Sequence, residues 1–216
     1  MRKVQQTQKK INIDIENKYY VWSLFAVFLI TLTILCTYKI IDDDVFWHLA
    51  TGKFIIENKY VPDKDVFGFA TQNTEWIPFE WGWDVVSYGI HSIGGLTGLE
   101  IFRSIIYLIM FSLYFFLLRR FKVNTVISIL LLFLLLIGMS DRLSPRPHII
   151  TYLFLILVLY LFLTYKYIDR ERYFKRLYFL PLIFLVWGNF HLGVIAGLIL
   201  LVIFTLSEII IFYYPS

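Results

Sequence analysis

Charge is scarce in this 216-residue chain, and cysteine is scarcer still. Only 17% of its residues are charged while 59% are hydrophobic and 19% aromatic, where an average soluble domain is about 25% charged and roughly 45–50% apolar. With a mean hydropathy of +0.70, that shortage argues against a water-soluble fold and excludes intrinsic disorder. The single cysteine, Cys36, lies in an apolar run, so no intramolecular disulfide can form and the redox compartment stays open. A glycine-rich phosphate loop, an HExxH pair, a CxxC pair and a Gly-x-Ser-x-Gly elbow are also missing, which removes those nucleotide, zinc, thiol and hydrolase templates. No internal repeat or low-complexity tract marks a boundary, and residues 1–216 read as a single integral-membrane domain.

Long apolar runs are what the chain has in abundance. They predict an all-α membrane protein with about six transmembrane helices, at 21–41, 101–118, 124–139, 149–165, 177–190 and 192–212. The first run leads through Tyr38-Lys39-Ile40-Ile41 into acids without a small-residue cleavage site, so it reads as a retained anchor. The fifth carries Pro181 near its start and is short for a hydrocarbon core of ~30 Å. A formal charge of +4 and a pI near 9.0 would suit nucleic acid only if the basic residues shared one face. They are dispersed instead, so no nucleic-acid partner is expected.

The basic residues fall on alternate connections: Arg2, Lys3, Lys9, Lys10 and Lys18 in the tail, Arg119, Arg120 and Lys122 after the second run, and Lys166, Arg170, Arg172, Lys175 and Arg176 after the fourth. Cytoplasmic loops are enriched in such residues, which assigns the 1–20 tail to the cytoplasm. The 42–100 connection holds ten acids against Lys53, Lys59 and Lys64, a net charge of −7. It is assigned, with 140–148 and the turn at 188–192, to the extracytoplasmic side. Four of the six tryptophans (Trp47, Trp76, Trp81, Trp83) lie in this loop, as in segments at headgroup level. Apolar spacing predicts an interfacial helix over 44–58 and a shorter one over 80–93, with turn chemistry at 61–65 and Gly94-Gly95-Leu96-Thr97-Gly98 leading into the second span.

Three polar clusters share the outward side. In Asp42-Asp43-Asp44 the carboxylates repel one another, which raises a pKa toward a useful base or draws in a cation. Asp44 and His48 sit four apart on one helical face, an arrangement for a divalent metal or for a base beside a phosphate-binding imidazole; the same acids would equally cap the helix. The turn Ser140–His148 presents Arg142, Arg146 and His148. A guanidinium suits a phosphate, although such a turn, stiffened by the prolines around Arg146, would also anchor to lipid headgroups. Asn189 and His191 close an apolar hairpin, where polar groups are costly and tend to be functional. Glu80 and Asp84, also four apart, read as a solvated helix face, and His91 and Glu208 as incidental.

These residues carry a resemblance. Asp42-Asp43-Asp44-Val45-Phe46-Trp47-His48-Leu49-Ala50-Thr51-Gly52 after a first span, then Val61-Pro62-Asp63-Lys64-Asp65-Val66-Phe67, Trp76-Ile77-Pro78-Phe79-Glu80-Trp81, Arg146-Pro147-His148 and Trp187-Gly188-Asn189-Phe190-His191-Leu192-Gly193, together resemble the N-terminal half of bacterial membrane proteins of the GT-C glycosyltransferase superfamily. The likeness is to the group near protein mannosyltransferases and arabinosyltransferase-like enzymes, over residues 20–205.

The resemblance implies a GT-C-like fold in the bacterial plasma membrane and a transferase moving a hexose or pentose from a polyprenyl-phosphate donor to an acceptor on the outer face. Asp44 first, and Asp42, would then serve as base for the acceptor hydroxyl or hold a divalent metal such as Mg or Mn. Arg146, His148, His191 and His48 would hold the donor phosphate, and Glu80, Trp81 and Asn189 would support the acceptor or the loop. GT-C enzymes usually have more spans and often a soluble C-terminal domain. The chain therefore reads as the N-terminal module of a longer or split protein, completed by a second membrane subunit, or as a shortened relative. The alternative from another class is a non-catalytic membrane subunit or a carrier for a lipid-linked glycan.

Overall fold

A computed structural model describes residues 17–37, 39 and 42–214. Arg2, Lys3, Lys9 and Lys10 of the basic tail, and Tyr38, Ile40 and Ile41 at the end of the first predicted span, lie outside the described residues. Among the described residues the fold is all-helical, without strands apart from an isolated Lys64–Glu75 pairing. The helices are α1 (Lys18–Cys36), α2 (Asp44–Asn58), α3 (Trp81–Arg120), α4 (Thr125–Gly138), α5 (His148–Tyr167), α6 (Arg170–Phe174), α7 (Leu180–Phe190) and α8 (Val194–Tyr213). Polar caps set several starts: the side chains of Asn17, Asn124 and Asp169 accept first-turn N–H groups of α1, α4 and α6.

Among the described residues four helices, α1, α3, α5 and α8, are long and apolar enough to cross a membrane, against the six or so expected. Helix α4 has 14 residues and α7 has 11, about 21 and 17 Å at 1.5 Å per residue, both short of a ~30 Å core. The reason is local. Beyond Gly138 the chain turns at once into a 3₁₀ segment, Ser140–Arg142. The apolar run before α7 opens as another 3₁₀ segment, Lys175–Phe179, and Pro181 then occupies the first turn of α7, where its missing N–H breaks nothing.

The expected helix at 80–93 and span at 101–118 are one helix, α3, broken at Gly95. Gly95 has φ 59° and ψ −155°, a backbone shape that residues with a Cβ rarely adopt. The break separates a first part, 81–94, from a second, 96–120. Helix α2, found with the bounds expected for it, packs on α3, burying Val45 and Leu49 against Leu99. The approach is closest at Gly52, where a Cβ would land on the Asp84 carbonyl.

Helix α1 runs antiparallel to the second part of α3. Phe25 stacks on Phe115 near its far end, with ring centroids 4.0 Å apart, and the Cys36 carbonyl accepts from Arg103 near its beginning. Phe28, Leu32, Tyr107, Phe111 and Leu132 fill the core between α1, α3 and α4. Trp83 is wholly buried there while Trp47 and Trp81 are partly exposed, so the four loop tryptophans do not share one environment. Helices α5 and α8 run parallel, their rings Phe162 and Phe204 stacked at 4.2 Å, with α7 antiparallel beside them. Lys166 and Arg170 pair with Glu208 at 3.1 and 3.0 Å, so the glutamate that looked incidental ties α5 to α8. The outer faces of α4 and α8 are largely exposed Leu, Ile and Val, the surface a bilayer would cover.

Gly52→Val should lower the midpoint of thermal unfolding in detergent by the equivalent of about 1–3 kcal/mol, since the α2–α3 contact must open to admit a side chain. Gly89→Ala, whose Cβ meets nothing within 4 Å, should leave the midpoint unchanged or raise it slightly.

Candidate functional site

The polar groups gather at one end of the bundle in two neighbouring clusters. The first forms where the chain after α1 meets the turn before α5. Asp42 and Asp43 start α2: the Asp42 and Asp43 carbonyls accept from Val45 and Phe46 N–H, and the Asp44 N–H donates to the Asp42 side chain at 3.2 Å. Opposite them Arg146 sits between Pro145 and Pro147, which hold the turn stiff. The turn is pinned from behind, because the Arg142 carbonyl accepts from the Tyr107 hydroxyl at 2.6 Å and from His148 Nε2–H at 2.8 Å.

Arg146 then clamps both acids. Its Nε and Nη2 donate to the two oxygens of Asp42 at 2.5 and 2.6 Å, and Nη1 meets Asp44 at 2.7 Å. The fork-on-carboxylate geometry is the strong form of this pair. The two acids differ in access: the Asp42 side chain is 10% exposed and that of Asp44 is 60%. The Arg146 hydrogen bonds hold the Asp42 carboxyl below its usual range against the opposing effect of burial, with help from Ser144.

This clamp bears on the expected metal. The guanidinium occupies the place a cation bridging Asp42 and Asp44 would take, and among the described residues no group of three or more His, Cys, Asp or Glu side chains is placed to share an ion. The donor set as folded does not fit a divalent metal. Nor do Asp44 and His48 act together: they share α2, but Asp44 turns to Arg146 and His48 to Asp84.

Beside the clamp a cavity of about 930 Å³ opens between α1, α4 and the 140–148 turn. Its apolar lining comes from Ile34, Leu35, Phe133, Leu136 and Ile137, and its charged lining from Lys39, Arg142, Arg146 and His148, from Asp42, Asp43 and Asp44, and from the buried Arg103.

The second cluster is a chain of side chains drawn from four elements. His48 of α2 lies 2.6 Å from Asp84 of α3 through Nδ1, and its Nε2 lies 3.9 Å from Glu80. The other oxygen of Glu80 is 3.4 Å from His191 Nε2. Nδ1 of His191 accepts from the Gly193 N–H at 2.9 Å and lies 2.7 Å from the Thr151 hydroxyl, which itself accepts from Trp187 Nε1 at 2.9 Å. Because Gly193 N–H can only donate, Nδ1 is an acceptor and the hydrogen of neutral His191 sits on Nε2, toward Glu80. Burial pushes the pKa of His191 down, with the charges of His148 and His48 acting the same way. Burial likewise lifts the Glu80 carboxyl above its usual range; His48 opposes the lift, and Asp84 and Asp44 add to it.

His48 and His191, expected with the donor phosphate, thus belong to this second cluster, while Arg146 and His148 line the cavity. Trp81 donates to Asn189 at 3.0 Å, joining the loop to the hairpin end. Asp84 was expected on a solvated face but is 3% exposed. Its i,i+4 spacing from Glu80 was visible; its burial came from the approach of Gly52. Thr151 carried no signal at all, lying in the first turn of the apolar helix α5. Comparison with known protein families, with curated proteins and with solved structures returns no match.

A double-mutant cycle with Asp42→Asn and Arg146→Gln should give a coupling of about 1 kcal/mol at pH 7, discounted for the solvent that reaches Arg146. Asp42 has a depressed folded pKa, so the coupling should be complete above the ordinary carboxylate value of about 3.9 and shrink as the pH falls through the depressed one. A coupling that grows on acidification would contradict the clamp.

Proposed function

We propose that the protein is a GT-C-like membrane glycosyltransferase, or the donor-binding part of one, that takes a sugar from polyprenyl phosphate at the outer face of the membrane. The observation that carries this reading is the cavity, whose lining joins apolar side chains to basic groups and to the acids of the clamp. An isoprenoid chain suits the wall of Ile34, Leu35 and Phe133. Its phosphate suits Arg142, Arg146 and His148, because departure of a phosphate needs positive charge beside the leaving oxygen. Attack by an alcohol needs a carboxylate nearby, and Asp44 is the more accessible member of the clamped pair.

In this reading the ends of α1 and α4 and the 140–148 turn face the cell exterior, the Arg119–Lys122 and Lys166–Arg176 connections face the cytoplasm, and α4 and α7 supplement the four long helices to give six passages. The Arg146 clamp favours one second reading, a binding-only subunit or carrier, since a guanidinium satisfies both acids and leaves less base available.

The test is to reconstitute the protein in lipid nanodiscs with a panel of labelled polyprenyl-phosphate hexoses and pentoses. Consumption of a donor is the expected result, and Asp44→Asn should slow it by about 10²–10⁴-fold while leaving donor binding intact. Donor bound with no consumption by the unaltered protein would favour the binding-only reading; no donor bound at all would sink both.

A further inference from the structure

The second cluster borders a small pocket of its own, about 290 Å³, one turn of α2 beyond the clamp. Trp47 and Trp76 make two of its walls, their ring centroids 5.8 Å apart and their planes at 74°, so they form a corner. His48, Glu80 and Leu192 close it.

The chemistry of this pocket is one-sided. Nδ1 of His48 lies 2.6 Å from Asp84 and its Nε2 lies 3.9 Å from Glu80, so the imidazole is held between two carboxyl groups. The Glu80 and Asp84 carboxyl oxygens line the pocket as hydrogen-bond acceptors, and no lysine or arginine is among the lining residues. An anion is therefore disfavoured, and the donor phosphate belongs in the basic cavity next door. A ligand rich in hydroxyl donors fits instead. Aromatic faces set in a corner suit a ring that carries its hydroxyls at the edge and C–H bonds on its faces.

We propose that this pocket is the acceptor subsite and that it takes a neutral carbohydrate ring, stacked on Trp47 and Trp76 and hydrogen-bonded through its hydroxyls to Glu80 and His48. The inference rests on the transferase reading above, whose acceptor it names by class. Asp44, which lines the donor cavity, lies on α2 one helical turn before His48, which lines the carbohydrate pocket. His191, held by Thr151 and Gly193, and Asp84, bonded to His48, are positioning residues that fix the two groups contacting the ring.

The test uses the full chain in nanodiscs and saturation-transfer NMR with two neutral probes, methyl α-mannopyranoside and methyl β-glucopyranoside, and one cationic probe, choline. At least one glycoside should bind. Trp76→Ala and Glu80→Gln should each weaken it by about tenfold or more, while Trp76→Phe, which keeps an aromatic face, should retain most of the binding. Unchanged thermal unfolding of Trp76→Phe and Glu80→Gln separates loss of binding from loss of fold. Binding of choline in place of the glycosides would overturn the inference in favour of a cation site. Donor consumption in the transferase assay without glycoside binding would overturn the inference and leave the transferase reading standing. Glycoside binding that depends on Trp76 and Glu80, with no donor bound, would overturn the transferase reading and keep the carbohydrate pocket.

Discussion

A single guanidinium holds this end of the molecule together. Arg146 reaches from the turn before α5 to the two acids that start α2, and through them fixes where α2 lies on the first part of α3. The second cluster depends on that placement. His48 meets Asp84 only because α2 is seated closely enough for Gly52 to touch the Asp84 backbone, and Glu80 is brought between two imidazoles by the same seating. Without the clamp, the two carboxylates would repel and the start of α2 would lose its ionic tie to the turn before α5.

The arrangement also sorts charge. The cavity gathers lysine, arginine and histidine beside apolar side chains, while the neighbouring pocket offers acceptors and aromatic faces. A ligand with a charged head and a long apolar tail and a ligand that is neutral and polar would therefore go to different pockets, each meeting the surface it suits. Asp42 and Asp44 show how one helix start serves both sides: Asp42 is spent on holding Arg146, and Asp44 keeps an exposed oxygen.

Much of the fold was legible along the chain, because apolar spacing is a local property. Helix α2 appears at 44–58 as its periodicity required, and the glycines at 94–98 marked the place where α3 breaks. The number of long helices was less legible. Apolar composition continues through 124–139 and 177–190, but the tight turn after Gly138 and the 3₁₀ segment before Pro181 shorten α4 and α7, and those are matters of backbone geometry. In the candidate site, Asp42, Arg146 and His148 could be suspected from residue type and the side they shared. The partnerships of His48 with Asp84 and of His191 with Thr151 join residues 36 and 40 positions apart, and nothing local encodes them. Asp84 was misjudged for that reason: a carboxylate on a helix looks solvated until another helix covers it.

The shortness of α4 has a consequence for the lipid itself. If this helix crosses the bilayer, its ~21 Å leave it about 9 Å below the ordinary hydrocarbon thickness, while the second part of α3 beside it is long enough to span in full. The membrane next to α4 must then be thin and next to α3 thick, a step in depth around one small protein. Such mismatch costs fractions of a kcal/mol per Å, and lipids along the step carry it. Headgroups on the thin side sink toward the level of Arg142 and Arg146, so a phosphate carried on a membrane-borne chain would approach those side chains by moving sideways within its own leaflet.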